Sequence, residues 1–138
     1  MIMSTKVIDM KGIEIILLAI GGTLGTVLRY KIVEFPLVIG TFPINVLIAN
    51  VIGSFILGMF VITSQQWNID EKYALLVAVG FVGSFTTMSA FALETTNMLD
   101  NMNYGLVAIN VITNVGLSIG AIIGGRAFMT VLIGGGIS

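Results

Sequence analysis

Four stretches carry no charged residue, 15–28, 35–69, 73–93 and 101–125, and the short segments between and around them hold every charge in the chain. A helix needs ~20 mostly apolar residues to cross a bilayer, so each stretch predicts a spanning helix, placed near 13–30, 44–63, 73–93 and 105–125. The connections left over, 31–43, 64–72 and 94–104, are too short for a soluble domain. Residues 1–138 are therefore read as a single four-helix transmembrane domain with antiparallel neighbours. The tail from 127 to 138 is apolar and ends GGGIS; it either extends the fourth helix past Arg126 or lies on the surface.

The third stretch departs from an ordinary span. Residues 80–91 read GFVGSFTTMSAF, with two glycines and four hydroxyls at membrane depth. A glycine inside a helix costs about 1 kcal/mol relative to alanine, and Ser and Thr offer the backbone competing hydrogen bonds, so this pattern predicts a break in the helix. Irregular backbone survives in a bilayer only when buried in protein or lining a polar cavity. In transporters such breaks are where freed carbonyls and amides meet ions, and an ion site is the first functional reading.

Composition narrows the class. The chain is 57% hydrophobic and 9% charged, with a mean hydropathy of +1.07, whereas charged residues make up about a quarter of a soluble domain. Cysteine and histidine are both absent, which removes disulfides, thiolate chemistry, imidazole ligands and any Ser-His-Asp arrangement, so an enzyme is not expected. A net charge of −1 leaves no basic footprint for nucleic acid. Lys6 and Lys11 before an apolar run resemble the start of a secretory signal, but no A-x-A-like site follows and the segment is read as the first helix. Lys6, Lys11, Lys72 and Arg126 fall on the side of the termini, with Arg29 and Lys31 opposite. That bias favours cytoplasmic termini, yet is small enough that orientation stays open.

Small residues at four-residue spacing mark helix contacts, because lipid supplies no hydrophobic drive between helices and close backbone approach must supply packing. They are Gly21 and Gly25 in the first helix, Ala49 and Gly53 with Ser54 and Gly58 in the second, and Gly116, Gly120 and Gly124 in the fourth. Asn110, Asn114 and Ser118 lie on another face of the fourth helix, so one face is expected to pack and another to be polar.

The polar side chains at membrane depth are Arg29, Asn45, Asn50, Ser54, Ser84, Thr86, Thr87, Ser89, Asn110, Thr113, Asn114 and Ser118. The set is rich in hydrogen-bond donors and has no carboxylate, which suits an anion, since a cation path usually shows acidic rings or stacked carbonyls. The competing reading is that these groups tie helices together, at about 0.6 kcal/mol per contact. Arg29 either snorkels to an interface or focuses anions into a wet vestibule.

GGTLGTVLRY at 21–30, ANVIGSFILG at 49–58 and GFVGSFTTMSAF at 80–91 occur in the order and helices of the signatures of the Fluc/CrcB fluoride channels, which the chain resembles from about residue 13 to 126. The resemblance implies an all-α membrane protein of the cell membrane. Its four transmembrane helices, the third broken, would pair in a dual-topology antiparallel dimer that exports fluoride passively and relieves its toxicity. Asn50 resembles the family's pore asparagine. Gly83 and Thr86 resemble the residues whose backbone carbonyls hold a central structural sodium ion, and two copies about a two-fold axis would supply four such ligands. By the same resemblance Met88, Phe91, Ser89, Asn114 and Ser118 would fall on the fluoride path, Arg29 at a vestibule and Glu94 near a pore mouth.

The departures are specific. Methionine stands at 88, where the family's first pore phenylalanine is usual. An aromatic edge is electropositive and can meet an anion, whereas a thioether is a soft, weak acceptor. Ala90 replaces a threonine, Asn45 and Val46 replace a glycine-threonine pair, and Asn114 stands where a serine is usual. Either the channel tolerates Met88, or this chain is the partly degenerate or non-conducting member of a heterodimer. A small multidrug antiporter would need a membrane-embedded carboxylate, and Glu14, at the very start of the first helix beside Lys11, is a poor one.

Overall fold

The computed structural model describes residues 11–134. Four long helices, Gly12–Glu34, Asn45–Gln66, Glu71–Asp100 and Tyr104–Gly134, are each long and apolar enough to cross a membrane. They sit where the sequence places the crossings, but each is longer than the span placed near 13–30, 44–63, 73–93 or 105–125. Uncharged runs record the thickness of the hydrocarbon, while helical hydrogen bonding continues into water. The third helix thus runs through Glu94 to Asp100, and the fourth absorbs the tail to Gly134; residues 135–138, like Lys6, lie outside the described part. The segment after the first helix is not wholly irregular. Val38–Ile39 and Phe42–Pro43 pair as a two-residue antiparallel hairpin, β1 and β2, turned at Gly40 with φ +64°.

The connections are closed by local chemistry. After the second helix the Ile69 amide returns to the Ser64 carbonyl, and after the third the Asn103 and Met102 amides return to Met98 and Leu99, with Asn68 and Met102 in the left-handed region. These are the bonds that satisfy orphan carbonyls at a helix end. Asp70 caps the third helix by accepting from the Lys72 amide at 3.1 Å. Asn45 staples the first connection: its Nδ2 donates to the carbonyls of Ile32 and Phe35, and its Oδ1 accepts from the Leu37 amide.

Glycines set the packing. A Cβ on Gly21 would fall on the Leu76 carbonyl oxygen and one on Gly25 on that of Phe81, so the first helix lies backbone to backbone against the third. Gly58 faces the Ile122 carbonyl in the same way, and Gly125 faces that of Phe55, which joins the second helix to the fourth. Here the fourth-helix expectation is corrected. Gly116 and Gly120 meet nothing within 4 Å and Gly124 only the edge of Phe55, while Asn110 and Asn114 are buried at 0% and 4% exposure. The polar face is the packed one, because its amides bond across the bundle, whereas Gly116 and Gly120 meet no partner among the described residues.

The first half of the third helix is wound wide. Residues Leu75–Val82 form a π-helix, with the Gly83 amide reaching back to Ala78. Such windings are rare in long runs and concentrate at functional sites. This one lies where Gly80 presses on Leu18 and Gly22 of the first helix, so its broadened coil fits against a neighbour stripped of side chains.

Candidate functional site

The third helix stops at Phe85 and restarts at Met88, leaving Thr86 and Thr87 extended at membrane depth. The two threonines mend much of the damage themselves. Thr86 Oγ1 donates to the Val82 carbonyl at 3.0 Å, and Thr87 Oγ1 accepts from the Ala90 amide at 3.2 Å, capping the second half as Ser and Thr do at helix starts. Phe85, 3% exposed, stacks on Phe81 with ring centroids 5.8 Å apart and presses on Gly53, wedging the end of the first half in place.

Asn50 closes the remaining gap from the second helix. Its Oδ1 accepts from the Thr87 amide at 2.8 Å, and its Nδ2 donates to the Thr87 carbonyl at 3.4 Å and to Asn114 Oδ1 at 3.1 Å. The chain of amides continues inward. Asn114 Nδ2 donates to Asn110 Oδ1 at 2.8 Å, Asn110 Nδ2 to Thr95 Oγ1 at 3.0 Å, and Thr95 Oγ1 to the Phe91 carbonyl at 2.7 Å. The asparagines of two helices are thus bonded in one chain that ties the extended turn at Thr87 to Thr95, about two turns further along the third helix.

Two backbone carbonyls are released by this arrangement. In an unbroken helix the Gly83 carbonyl would take the Thr87 amide and the Thr86 carbonyl the Ala90 amide. Those amides donate instead to Asn50 Oδ1 and Thr87 Oγ1. Neutral carbonyl oxygens freed at an unwound turn are the donor type that takes sodium in membrane proteins, so Gly83 and Thr86 fit a small monovalent cation. Among the described residues no group of three His, Cys, Asp or Glu side chains offers a metal site.

On one flank of the break lies a groove of about 360 Å³ that brings together Asn50, Met88, Phe91, Asn114 and Ser118, five of the residues expected on an ion path, with Ser54 and Thr86. Met88 is 72% exposed at its rim. Ser89 and Arg29 are not in this groove; they line a second, of about 430 Å³, on the other side of Thr87. Among the described residues Arg29 makes no ion pair, since the two found join Lys31 to Glu34 and Lys72 to Asp70. Glu94 lines neither groove, and its buried Oε2 has no hydrogen-bond partner among the described residues. Asn110 and Ser54 belong to the polar set that the sequence places at membrane depth, Asn110 on the polar face of the fourth helix and Ser54 also in a packing motif, but neither is marked there as a residue of the ion path.

The family model described as CrcB-like protein, Camphor Resistance (CrcB), matches residues 16–126, the span that holds all four crossings and both grooves. The chain belongs to the CrcB family. Its relatives include a protein of Nitrosopumilus maritimus named "Fluoride-specific ion channel FluC", 59% identical over 124 residues that cover 90% of this chain and 98% of the relative. Proteins of the same name from Koribacter versatilis and Methanococcus maripaludis are 38% and 34% identical, over 84% and 82% of this chain and 94% and 93% of their own lengths. The motifs of the CrcB chain that point to an ion therefore sit within a match that runs nearly end to end.

Proposed function

We propose that this CrcB-family chain is a subunit of a fluoride-specific ion channel of the cell membrane, passing fluoride passively and relieving its toxicity, and that it is not an enzyme. The observation that carries the reading is the groove beside the broken third helix, where Asn50, Asn114, Ser118, Met88 and Phe91 meet at membrane depth. Relatives named as fluoride-specific channels support the choice of ion. The antiporter alternative is not favoured, since Glu14 lies within the first turn of the first helix, beside the water. Passive fluoride efflux from liposomes, with chloride as control, tests the reading.

The pathway works by replacement. A small anion sheds water only where fixed donors and positive edges stand in for it, and the groove offers hydroxyls, amide-braced walls and the Phe91 ring, whose edge is electropositive. Arg29, Thr26 and Ser89 in the second groove suit a vestibule that gathers anions by charge.

The subunit is proposed to work as an antiparallel, dual-topology dimer with a copy of itself or a sister chain. A groove lined by two asparagines and two serines is unsuited to hydrocarbon, where polar side chains face a bundle interior or a cavity, so a second subunit is expected to cover it. Gly83 is exposed on its own chain, and its freed carbonyl and that of Thr86, doubled by a two-fold axis, would hold a structural sodium ion. An experimental structure in lipid should contain two inverted copies with ion density between the four carbonyls. A conducting monomer, or a well-resolved break with no ion near it, would contradict this part.

Met88→Phe is expected to raise fluoride flux or leave it high, without admitting chloride. The ring would present a polarised edge three residues from Phe91, in the same groove. A gain would mark methionine as a handicap that a sister subunit offsets, and no change would mean that the thioether suffices. Loss of flux in an assembled dimer would remove position 88 from the pathway.

A further inference from the structure

The groove's polar groups can be accounted for one by one. Its polar lining is Asn50, Ser54, Thr86, Thr87, Asn114 and Ser118. Asn50 spends both amide hydrogens on the Thr87 carbonyl and on Asn114 Oδ1. Asn114 spends both of its own on the carbonyl and the Oδ1 of Asn110. Thr86 donates to the carbonyl of Val82, and the Thr87 hydroxyl is shared between the Ala90 amide and Ser89. Among the described residues, only the Ser54 and Ser118 hydroxyls of this groove have no protein partner.

Many hydroxyls of this chain are tied down instead. Thr23, Thr63, Thr95, Thr96, Thr113 and Thr130 each turn back to the carbonyl four residues earlier, the ordinary resting place of a hydroxyl on a helix. Ser54 is 9% exposed, one turn beyond Asn50 on the second helix, and opens into the groove instead. A hydroxyl that opens into the groove with no protein partner is left free to donate, and it gains a bond if an anion is what it meets.

We infer that Ser54 also lines the fluoride path, and that its hydroxyl donates to the dehydrated ion. The inference rests on the channel reading above and deepens it. A hydroxyl has one hydrogen and rotates freely, so it can turn toward a passing anion and release it. The amides are held by bonds at both ends and act as the rigid wall behind. Fluoride, small and strongly hydrated, gains more from such a donor than chloride does, so Ser54 also contributes to selectivity.

The test uses the full chain reconstituted in liposomes, with fluoride and chloride efflux read by ion-selective electrodes. Ser54→Ala should lower fluoride flux about tenfold or more, the scale of one lost hydrogen bond to a charged group, while Ser54→Thr, which keeps the hydroxyl, should stay within a few-fold of the unaltered chain. Flux in Ser54→Ala equal to that of the unaltered chain overturns the inference, as does an equal loss in Ser54→Thr, since shape and not the hydroxyl would then be at stake. Should Ser54→Ala fail to assemble, Ser54→Cys keeps the volume with a weak donor and decides by the same tenfold criterion. No fluoride flux from the unaltered chain would overturn the channel reading itself, and the inference with it.

Discussion

Asn50→Ala is expected to abolish fluoride flux, by 100-fold or more on the order set by losing several buried hydrogen bonds at once, while the protein still assembles. The side chain joins three partners: the amide and the carbonyl of Thr87 and the Oδ1 of Asn114. Its removal leaves the Thr87 amide without an acceptor at a residue 6% exposed, and unties Asn114 from the wall of the groove. The four helices are held elsewhere, by the glycine contacts, so the bundle should survive a local loss of about 1–3 kcal/mol per unsatisfied group. Asn50→Asp separates the roles of the side chain. It keeps an acceptor for Thr87 but surrenders both amide hydrogens and adds a negative charge beside an anion path, so it too should stop flux. Efflux from liposomes, beside a gel-filtration profile of each variant, checks both. Unchanged flux in an assembled Asn50→Ala protein would reduce Asn50 to a tie between helices.

The second large effect concerns assembly. Gly58→Val should prevent the second and fourth helices from seating, because even its Cβ falls on the Ile122 carbonyl oxygen, a backbone atom that cannot swing aside. Overpacking of this kind costs about 1–3 kcal/mol, and the helix pair also carries the reciprocal contact of Gly125 on Phe55. With both glycines changed to valine the chain should lose its monodisperse peak and its thermal transition in detergent. Gly105→Ala is the matched control. Nothing lies within 4 Å of that position, so the added methyl should leave the transition in place or raise it slightly. Intact assembly of the double valine variant would mean that the two helices are held by something other than backbone approach.

Much of this arrangement is legible in the order of residues. Charge-free runs give four crossings because the bilayer imposes its length on them, and glycine beside Ser and Thr at 80–91 gives the break because those residues offer the backbone other partners. The π-winding over Leu75–Val82 has no comparable mark. It answers to the bare face of Gly21 and Gly22 on another helix, which only the folded chain brings opposite. For the same reason Gly116 and Gly120 read as a packing stripe when the contact glycine is Gly125: spacing names a face, and only the neighbour decides whether that face is used.

The site divides along the same line. Asn50, Asn114, Ser118, Met88 and Phe91 can be picked out by type and motif, and one groove gathers them. Arg29 and Ser89 share the motifs but fall into the other groove, because Arg29 belongs to the first helix and Ser89, one helical residue on from Met88, points about 100° away from it. Ser54 and Asn110 were obscured by what hydrogen bonding hides from sequence. A serine with a partner and one without are the same letter, and so are an asparagine facing a pore and one bracing its wall.

One measurement tests the channel most directly, passive efflux from liposomes that contain this chain alone, loaded with fluoride or chloride and released by a potassium ionophore. Fluoride should leave at a rate set by the protein and chloride should stay at the leak of protein-free vesicles. Equal loss of both ions, or fluoride retained as in empty vesicles by protein that is folded and assembled, would contradict it.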